Sequence, residues 1–100
     1  MDPAIPDIKI SDVVVSTAGR DQGELFYVIG EEPLYVILAN GKDRSLDKPK
    51  RKKRKHVQKV LRSETRVADK IRLGDKVLNG ELRRDLAFIA GHLQANNLGG

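Results

Sequence analysis

The chain contains no cysteine and no tryptophan, and only four of its 100 residues are aromatic. Without cysteine there is neither a disulfide framework nor a thiolate metal site. The two histidines, His56 and His92, lie 36 positions apart and make no recognisable set of metal ligands. We therefore expect no bound metal and no other cofactor.

Long hydrophobic runs and catalytic motifs are missing as well. The longest apolar stretch, residues 34–39, has six members, whereas a membrane-spanning helix needs about 20. Residues 1–7 are acidic and interrupted by proline, unlike a secretory signal. The sequence contains no Ser-His-Asp arrangement, no P-loop and no dinucleotide-binding loop. These absences predict a cytoplasmic protein without membrane contact, enzymatic activity or small-molecule substrate.

Positive charge is concentrated in one segment of the chain. Residues 42–59 hold ten Lys and Arg against two Asp, a local balance of +8, while the other 82 residues hold nine Lys and Arg against twelve acids, a balance of −3. The net charge of +5 is thus the sum of a mildly acidic scaffold and one basic segment. Such segregation indicates a polyanionic partner, with nucleic acid favoured over a membrane surface.

Short apolar runs separated by turn residues predict β-strands over the first part of the chain. Three valines favour a strand at 12–16, and Gly19 and Gly23 allow a tight turn after it. The dipeptide Asn40-Gly41 is typical of a type I′ hairpin turn, after which the chain should return as an exposed strand. The five predicted strands cover residues 12–16, 25–29, 34–39, 42–46 and 57–61. This spacing predicts a small barrel rather than a parallel sheet.

The hydrophobic period changes to that of helices after residue 61. Ser63 is the expected N-cap of a first helix that ends at Gly74, and Asn79 the expected N-cap of a second. The second helix carries one apolar stripe, composed of Leu82, Leu86, Ile89, Ala90 and Leu93. We expect an N-terminal tail at 1–10, a barrel at 11–62 that includes the basic segment 48–56, a helical extension at 63–95 and a frayed tail at 96–100.

Residues 11–23, SDVVVSTAGRDQG, resemble a KOW motif: an aspartate, a valine-rich strand, then Gly-basic-Asp-x-Gly before a second strand. Ser11 stands where many KOW sequences carry glycine. The segments 39–44 (ANGKDR) and 48–58 (KPKRKKRKHVQ) are similar to the fourteen-e family of large-subunit ribosomal proteins, and more closely to the short KOW-domain RNA-binding proteins of bacteria related to it. The resemblance covers residues 10–61 best.

This resemblance implies a mainly β protein, a small SH3-like (KOW-type) barrel followed by two short C-terminal α-helices, that binds RNA. Ribosomal RNA is the usual partner in such families, and ribosomal proteins are further expected partners. Gly19, Asp21 and Gly23 would form the structural loop. The candidate RNA-binding residues are Arg20, Lys42, Arg44, Lys48, Lys50, Arg51, Lys52, Lys53, Arg54, Lys55 and His56.

The six consecutive cations at 50–55 are the strongest sign of phosphate binding. If each met a phosphate on a duplex, log K would fall against log salt with a slope of roughly −5. On this interpretation, neutralising the run abolishes RNA binding and leaves the fold intact. A solubilising loop and, in a eukaryote, a nuclear import signal fit the same residues.

Other interpretations stay open from the sequence. The main alternative function is a KOW-type protein-interaction module that contacts RNA polymerase or ribosomal proteins, and double-stranded DNA is a third candidate partner. Phe26 is expected in the core. For Tyr27 and Tyr35, both core packing and stacking on unpaired bases are compatible with the sequence. The stripe on the second helix is expected to pack in the core or, if exposed, to contact another protein.

Overall fold

The computed structural model describes the backbone of residues 7–99 and the side chains of residues 7–94. This part of the chain forms a five-stranded antiparallel β-sheet and two α-helices, which confirms the expected mainly β fold with two C-terminal helices. The strands are β1 (Asp12–Ser16), β2 (Leu25–Glu31), β3 (Tyr35–Ala39), β4 (Lys50–Lys53) and β5 (Val57–Arg62), and the helices are α1 (Arg66–Leu73) and α2 (Asn79–Gly99). A 3₁₀ turn, Arg54–His56, connects β4 to β5.

The sheet has the strand order β4-β3-β2-β1-β5, and every neighbouring pair is antiparallel. The predicted fifth strand is confirmed, but it pairs with β1, so β4 and β5 remain the two edges and do not close a hydrogen-bonded barrel. In a flat sheet β4 and β1 would lie about 14 Å apart, three strand spacings. Lys52 of β4 nevertheless hydrogen-bonds to Asp21, in the loop after β1, over 2.7 Å. The sheet is therefore strongly curled.

The sheet is buried on both faces by two hydrophobic clusters. Val13 of β1 and Tyr27 of β2 belong to the cluster shared with the helices. Val14 of β1 and Phe26 of β2 point the other way, into a cluster enclosed by the curled sheet. Successive strand residues face opposite sides, and burial of both sides explains why β1 is a run of valines rather than an alternation of apolar and polar residues.

The apolar stripe of the second helix faces the sheet, as predicted. Leu82, Leu86 and Ile89 are buried in the cluster that contains Tyr27, and Leu93 packs against its edge. Ala90, the fifth member of the predicted stripe, is exposed. The core interpretation is thus confirmed for the three buried residues.

Tyr27 joins β2 to both helices through a buried polar network. Its hydroxyl donates a hydrogen bond to the Asp85 carboxylate on α2 and lies 2.8 Å from Ser63 Oγ and 3.2 Å from Thr65 Oγ1. Burial, the Asp85 hydrogen bond and the Asp85 charge raise the pKa of Tyr27 to about 12. Tyr27 is fully buried, which decides in favour of core packing rather than base stacking for this residue.

The helix ends differ from the prediction in two of three places. Thr65, not Ser63, caps α1 by accepting a hydrogen bond from Ala68 N over 3.2 Å, because Ser63 is committed to Tyr27. Gly74 ends α1 in the left-handed conformation, as expected. Asn79 begins α2, but its side-chain oxygen accepts from Leu46 N over 2.8 Å instead of capping the helix.

The predicted strand at 42–46 is wrong, because the basic run itself forms the fourth strand. Asn40 Oδ1 accepts hydrogen bonds from Lys42 N and Arg44 N, which folds this segment into a compact loop. Gly41 has a φ of +76° whereas Asn40 has no positive φ, so the turn is not of type I′. β4 then pairs with β3 from Leu38 to Tyr35.

The predicted terminal tails are also partly wrong. Residues 1–6 and Gly100 lie outside the described residues. Ile8, expected in a tail, is fully buried in the cluster within the curled sheet, and its carbonyl accepts a hydrogen bond from Arg54 over 2.8 Å. At the other end, α2 continues through the segment expected to fray, as far as Gly99.

Replacement of Gly41 by alanine should destabilise the protein more than Gly74→Ala. The two glycines have φ values of +76° and +75°, so the cost of a left-handed alanine, about 1 kcal/mol, is common to both. An added Cβ would lie 2.2 Å from Asn79 O at Gly41 and would meet no atom within 4 Å at Gly74. We expect Gly41→Ala to lose about 3 kcal/mol of unfolding free energy in urea titrations. Equal losses would contradict the contact between this loop and α2.

The buried network predicts an unusual tyrosine titration. The chain has two tyrosines, so in a Tyr35→Phe variant the tyrosinate absorbance reports Tyr27 alone. We expect ionisation near pH 12, well above the value of about 10 for an unfolded tyrosine. The stability that the protonated Tyr27 hydroxyl contributes is therefore present below about pH 10 and is lost as pH rises through the folded-state pKa of Tyr27. Ionisation near pH 10 in the folded protein would rule out the network.

Candidate nucleic-acid interface

The loop between β1 and β2, residues 17–24, is held in shape by its own hydrogen bonds. Ser16 Oγ donates to Asp21 Oδ1 over 2.7 Å, and Gly23 N donates to Ser16 O over 2.8 Å. Gly19 and Gly23 have φ values of +86° and +91°, conformations that favour glycine. Arg20 is exposed at the tip of the loop. This is the loop that the sequence predicts from Gly19, Asp21 and Gly23.

Asp21 binds two cations of the basic run. Its carboxylate lies 2.7 Å from Lys52 Nζ and 2.9 Å from Lys50 Nζ, and Lys52 also donates to Ala18 O over 2.7 Å. Burial alone raises the pKa of this carboxyl, but hydrogen bonds from Lys52, Ser16 and Lys50 and the charge of Lys52 outweigh it, so the pKa of Asp21 lies well below its usual value. We call Asp21, Lys50 and Lys52 the Asp21 clasp.

Arg51 is engaged on the opposite side of β4. Its guanidinium donates to both carboxylate oxygens of Glu32, over 2.8–3.1 Å, and lies 3.6 Å above the centre of the Tyr35 ring. The hydrogen bonds from Arg51 lower the pKa of Glu32. One face of Tyr35, considered above for base stacking, is therefore already covered by a guanidinium.

Arg54 is a structural residue rather than a surface cation. Its side chain is 10% exposed, and the guanidinium donates to Ile8 O over 2.8 Å and to Glu32 O over 3.0 Å. Glu31 lies 3.6 Å away and supplies a negative charge. A buried guanidinium with these partners fixes the 3₁₀ turn against the start of the described chain.

Among the side chains that the structure describes, four of the six consecutive cations have acidic partners and two do not. Lys53 and Lys55 are exposed, and neither side chain forms a hydrogen bond or ion pair within residues 7–94. His56 is half-buried, and its carbonyl accepts from Thr17 N over 2.9 Å. The expectation that the whole run can be neutralised without harm to the fold is therefore wrong, because Lys52 and Arg54 are buried, hydrogen-bonded members of it.

The loop between β3 and β4, residues 40–49, carries three more exposed cations. Lys42, Arg44 and Lys48 form no side-chain hydrogen bond or ion pair with any other described side chain. Arg44 and Arg20 line the same cleft, of about 180 Å³, together with Lys50. The structure thus brings the two loops together at one cleft.

Two carboxylate residues that the sequence analysis does not identify lie between this cleft and a second one. Glu24 and Asp43 line both the small cleft and a larger one of about 370 Å³, in which Lys42 and Arg83 of α2 also take part. Arg83 could not be found from the sequence, because its position depends on how α2 docks on the loops. Glu24 and Asp43 belong to no recognised motif, and the one signal for them in the sequence is their position beside predicted turns.

Comparison with models of known protein families and with curated proteins finds no match to this chain. Within residues 7–99, no helix combines the length and hydrophobicity needed to cross a bilayer. Over the same described range, no cluster of three or more His, Asp or Glu side chains has the arrangement of a metal site.

The Asp21 clasp predicts a specific dependence of stability on acid. The folded-state pKa of Asp21 is lowered. The stability that the Asp21 carboxylate contributes is therefore present above its unfolded-state pKa of about 4 and is lost as pH falls toward its folded-state pKa. Asp21→Asn should cost about 3 kcal/mol at pH 7, since it leaves Lys52 buried beside a neutral partner. Urea titrations at several pH values should find the two proteins converging in acid. A constant difference down to pH 2 would contradict the clasp.

Proposed function

We propose that this protein is a non-enzymatic RNA-binding protein of the KOW type, with structured ribosomal RNA as its preferred partner. The RNA phosphates bind the exposed cations of the two loops and of the turn after β4. Two observations support this proposal: the resemblance of residues 10–61 to KOW-domain proteins, and the distribution of charge over the folded chain. We further propose that the curled sheet is an SH3-like barrel, an assignment supported by the four-strand meander, the 3₁₀ turn and the return of β5 beside β1.

The observation that carries the proposal is a set of exposed cations without acidic partners among the side chains of residues 7–94. Six of the candidate residues have this property: Arg20, Lys42, Arg44, Lys48, Lys53 and Lys55. Side chains of like charge on neighbouring loops repel one another, and a polymer of phosphates relieves that repulsion while releasing condensed counterions. If all six reach a phosphate of duplex RNA, the salt slope of binding is again about −5.

Four of the other five candidate residues act through the fold, and the fifth, His56, is half-buried. Lys50 and Lys52 hold the loop that carries Arg20, through the Asp21 clasp. Arg51 and Arg54 fix the segment on either side of Lys53. Because A-form RNA hides the base edges of its deep groove, recognition through rigid loops of fixed shape suits a structured RNA better than base readout does.

Neutralising the exposed pair Lys53 and Lys55 should weaken RNA binding without loss of stability. The double variant Lys53→Gln/Lys55→Gln should reduce the steepness of the salt slope by about 2. The measurement is fluorescence anisotropy with ribosomal RNA stem-loops across a salt series, alongside urea unfolding.

The matched control is Arg66→Gln/Lys76→Gln, which removes the same charge from exposed side chains of the helical half. It should leave the slope and affinity close to those of the wild type. Equal effects of the two double variants would show that net charge alone governs binding and would refute the proposed interface.

A protein-interaction module is the second candidate, favoured by large apolar side chains exposed on the helical half. Leu73, Leu78 and Phe88 are 75%, 56% and 68% exposed. Such a contact would survive high salt, because apolar burial does not depend on counterion release. Persistence of ribosome or polymerase binding at a salt concentration that dissociates RNA would favour this function instead.

A further inference from the structure

The small cleft between the two loops carries charges of both signs that do not neutralise one another. Arg20 and Arg44 line it, and so do Glu24 and Asp43. None of these four side chains makes an ion pair or hydrogen bond with a described side chain. Two carboxylates repel phosphate, so a surface that bound only the RNA backbone would gain by losing them. A ligand that offers both a phosphate and a hydrogen-bond donor has a partner for each sign of charge.

Hydrogen bonds fix the backbone of the two loops that carry these side chains. Glu24 N donates to Asp21 O over 2.9 Å, at the base of the loop that the Asp21 clasp secures. On the other loop, Asn40 Oδ1 accepts from the amides of Lys42 and Arg44, which flank Asp43. The backbones that carry both signs of charge are therefore organised before any ligand arrives, which reduces the entropy lost on binding.

The sizes of the two clefts limit what each can hold. The small cleft, about 180 Å³, is smaller than sites for whole drug-sized ligands, which measure about 300–1,000 Å³, and it suits a sugar and its phosphate. The larger cleft, about 370 Å³, lies on the other side of Glu24 and Asp43 and has Leu25 and Leu86 in its lining. It has room and apolar surface for the attached base.

We propose that this pair of clefts binds one unpaired ribonucleotide of the RNA and distinguishes RNA from DNA there. The phosphate binds Arg20 and Arg44, and the ribose 2′-hydroxyl donates a hydrogen bond to Glu24 or Asp43. A deoxyribose has no 2′-hydroxyl to donate, so with DNA both carboxylates remain unsatisfied beside the phosphate. This inference rests on the proposed RNA binding and adds to it a recognised sugar and two acidic specificity residues.

The test compares two stem-loop probes that differ only in the sugar of the loop nucleotides, ribose in one and 2′-deoxyribose in the other. The wild type should bind the ribose probe about tenfold more tightly, the effect of one hydrogen bond to a charged group. In Glu24→Gln/Asp43→Asn the amide oxygens still accept the hydroxyl hydrogen bond but carry no charge, so the preference for ribose should fall to about threefold. This variant should also bind the deoxyribose probe more tightly than the wild type does, because two negative charges leave the cleft.

The matched control is Asp47→Asn/Asp75→Asn, which removes the same charge from exposed acids that do not line the small cleft. It should raise the affinity for both probes alike and keep their ratio. Equal affinity of the wild type for the two probes, or an unchanged ratio in Glu24→Gln/Asp43→Asn, overturns the inference.

These results separate the inference from the proposed function. If both probes bind equally and Lys53→Gln/Lys55→Gln weakens both, RNA binding stands and the sugar recognition falls. If neither probe binds in a salt-dependent way, both fall together.

Discussion

Asp21 holds the basic strand and the first loop together, and the rest of the surface depends on that contact. One carboxylate accepts from Ser16 at the end of β1 and from Lys50 and Lys52 of β4. It thereby connects the edge of the sheet to a loop three strands away. Without it, a buried lysine would lose its counter-charge, and the loop that carries Arg20 would lose its ion pairs to β4.

Successive residues of a strand face opposite sides of the sheet, so the side chains of the basic run point alternately in two directions. Lys50 and Lys52 face the inside of the curled sheet, and Arg51 faces Glu32 and Tyr35. Lysines on an edge strand also discourage pairing with the edge of another molecule, so β4 has a structural reason to be cationic that is independent of RNA. Only Lys53 and Lys55 of the run remain for an external partner, and the loops supply the other exposed cations.

The order of elements could be predicted because it follows local patterns. The valines of β1, the apolar runs of β2 and β3 and the helical stripe at Leu82, Leu86 and Ile89 specify their own structures. The strand at β4 was missed because six cations in sequence carry no hydrophobic period. What makes it a strand is pairing with β3 and neutralisation by Asp21 and Glu32.

The site could be predicted only as a set of candidate residues. The KOW resemblance indicates the loop that contains Asp21, but Lys52 lies 31 positions further along the chain, and no local signal connects the two. Ser63 and Asn79 illustrate the same limit, because both are residue types that commonly cap helices. In the structure Ser63 instead forms a hydrogen bond with Tyr27, and Asn79 accepts one from the amide of Leu46. The roles of Glu24 and Asp43 depend on how the two loops meet, which a single sequence does not encode locally.

The division of the basic run into internal and exposed cations can be measured most directly by lysine acylation and mass spectrometry, with and without ribosomal RNA stem-loops. We expect Lys52 to react slowly in both states and Lys50 nearly as slowly. The exposed lysines, Lys42, Lys48, Lys53 and Lys55, should react rapidly in the free protein and be protected by RNA. Rapid reaction of Lys52 in the free protein, or unchanged reactivity of the exposed lysines when RNA is added, would contradict this division.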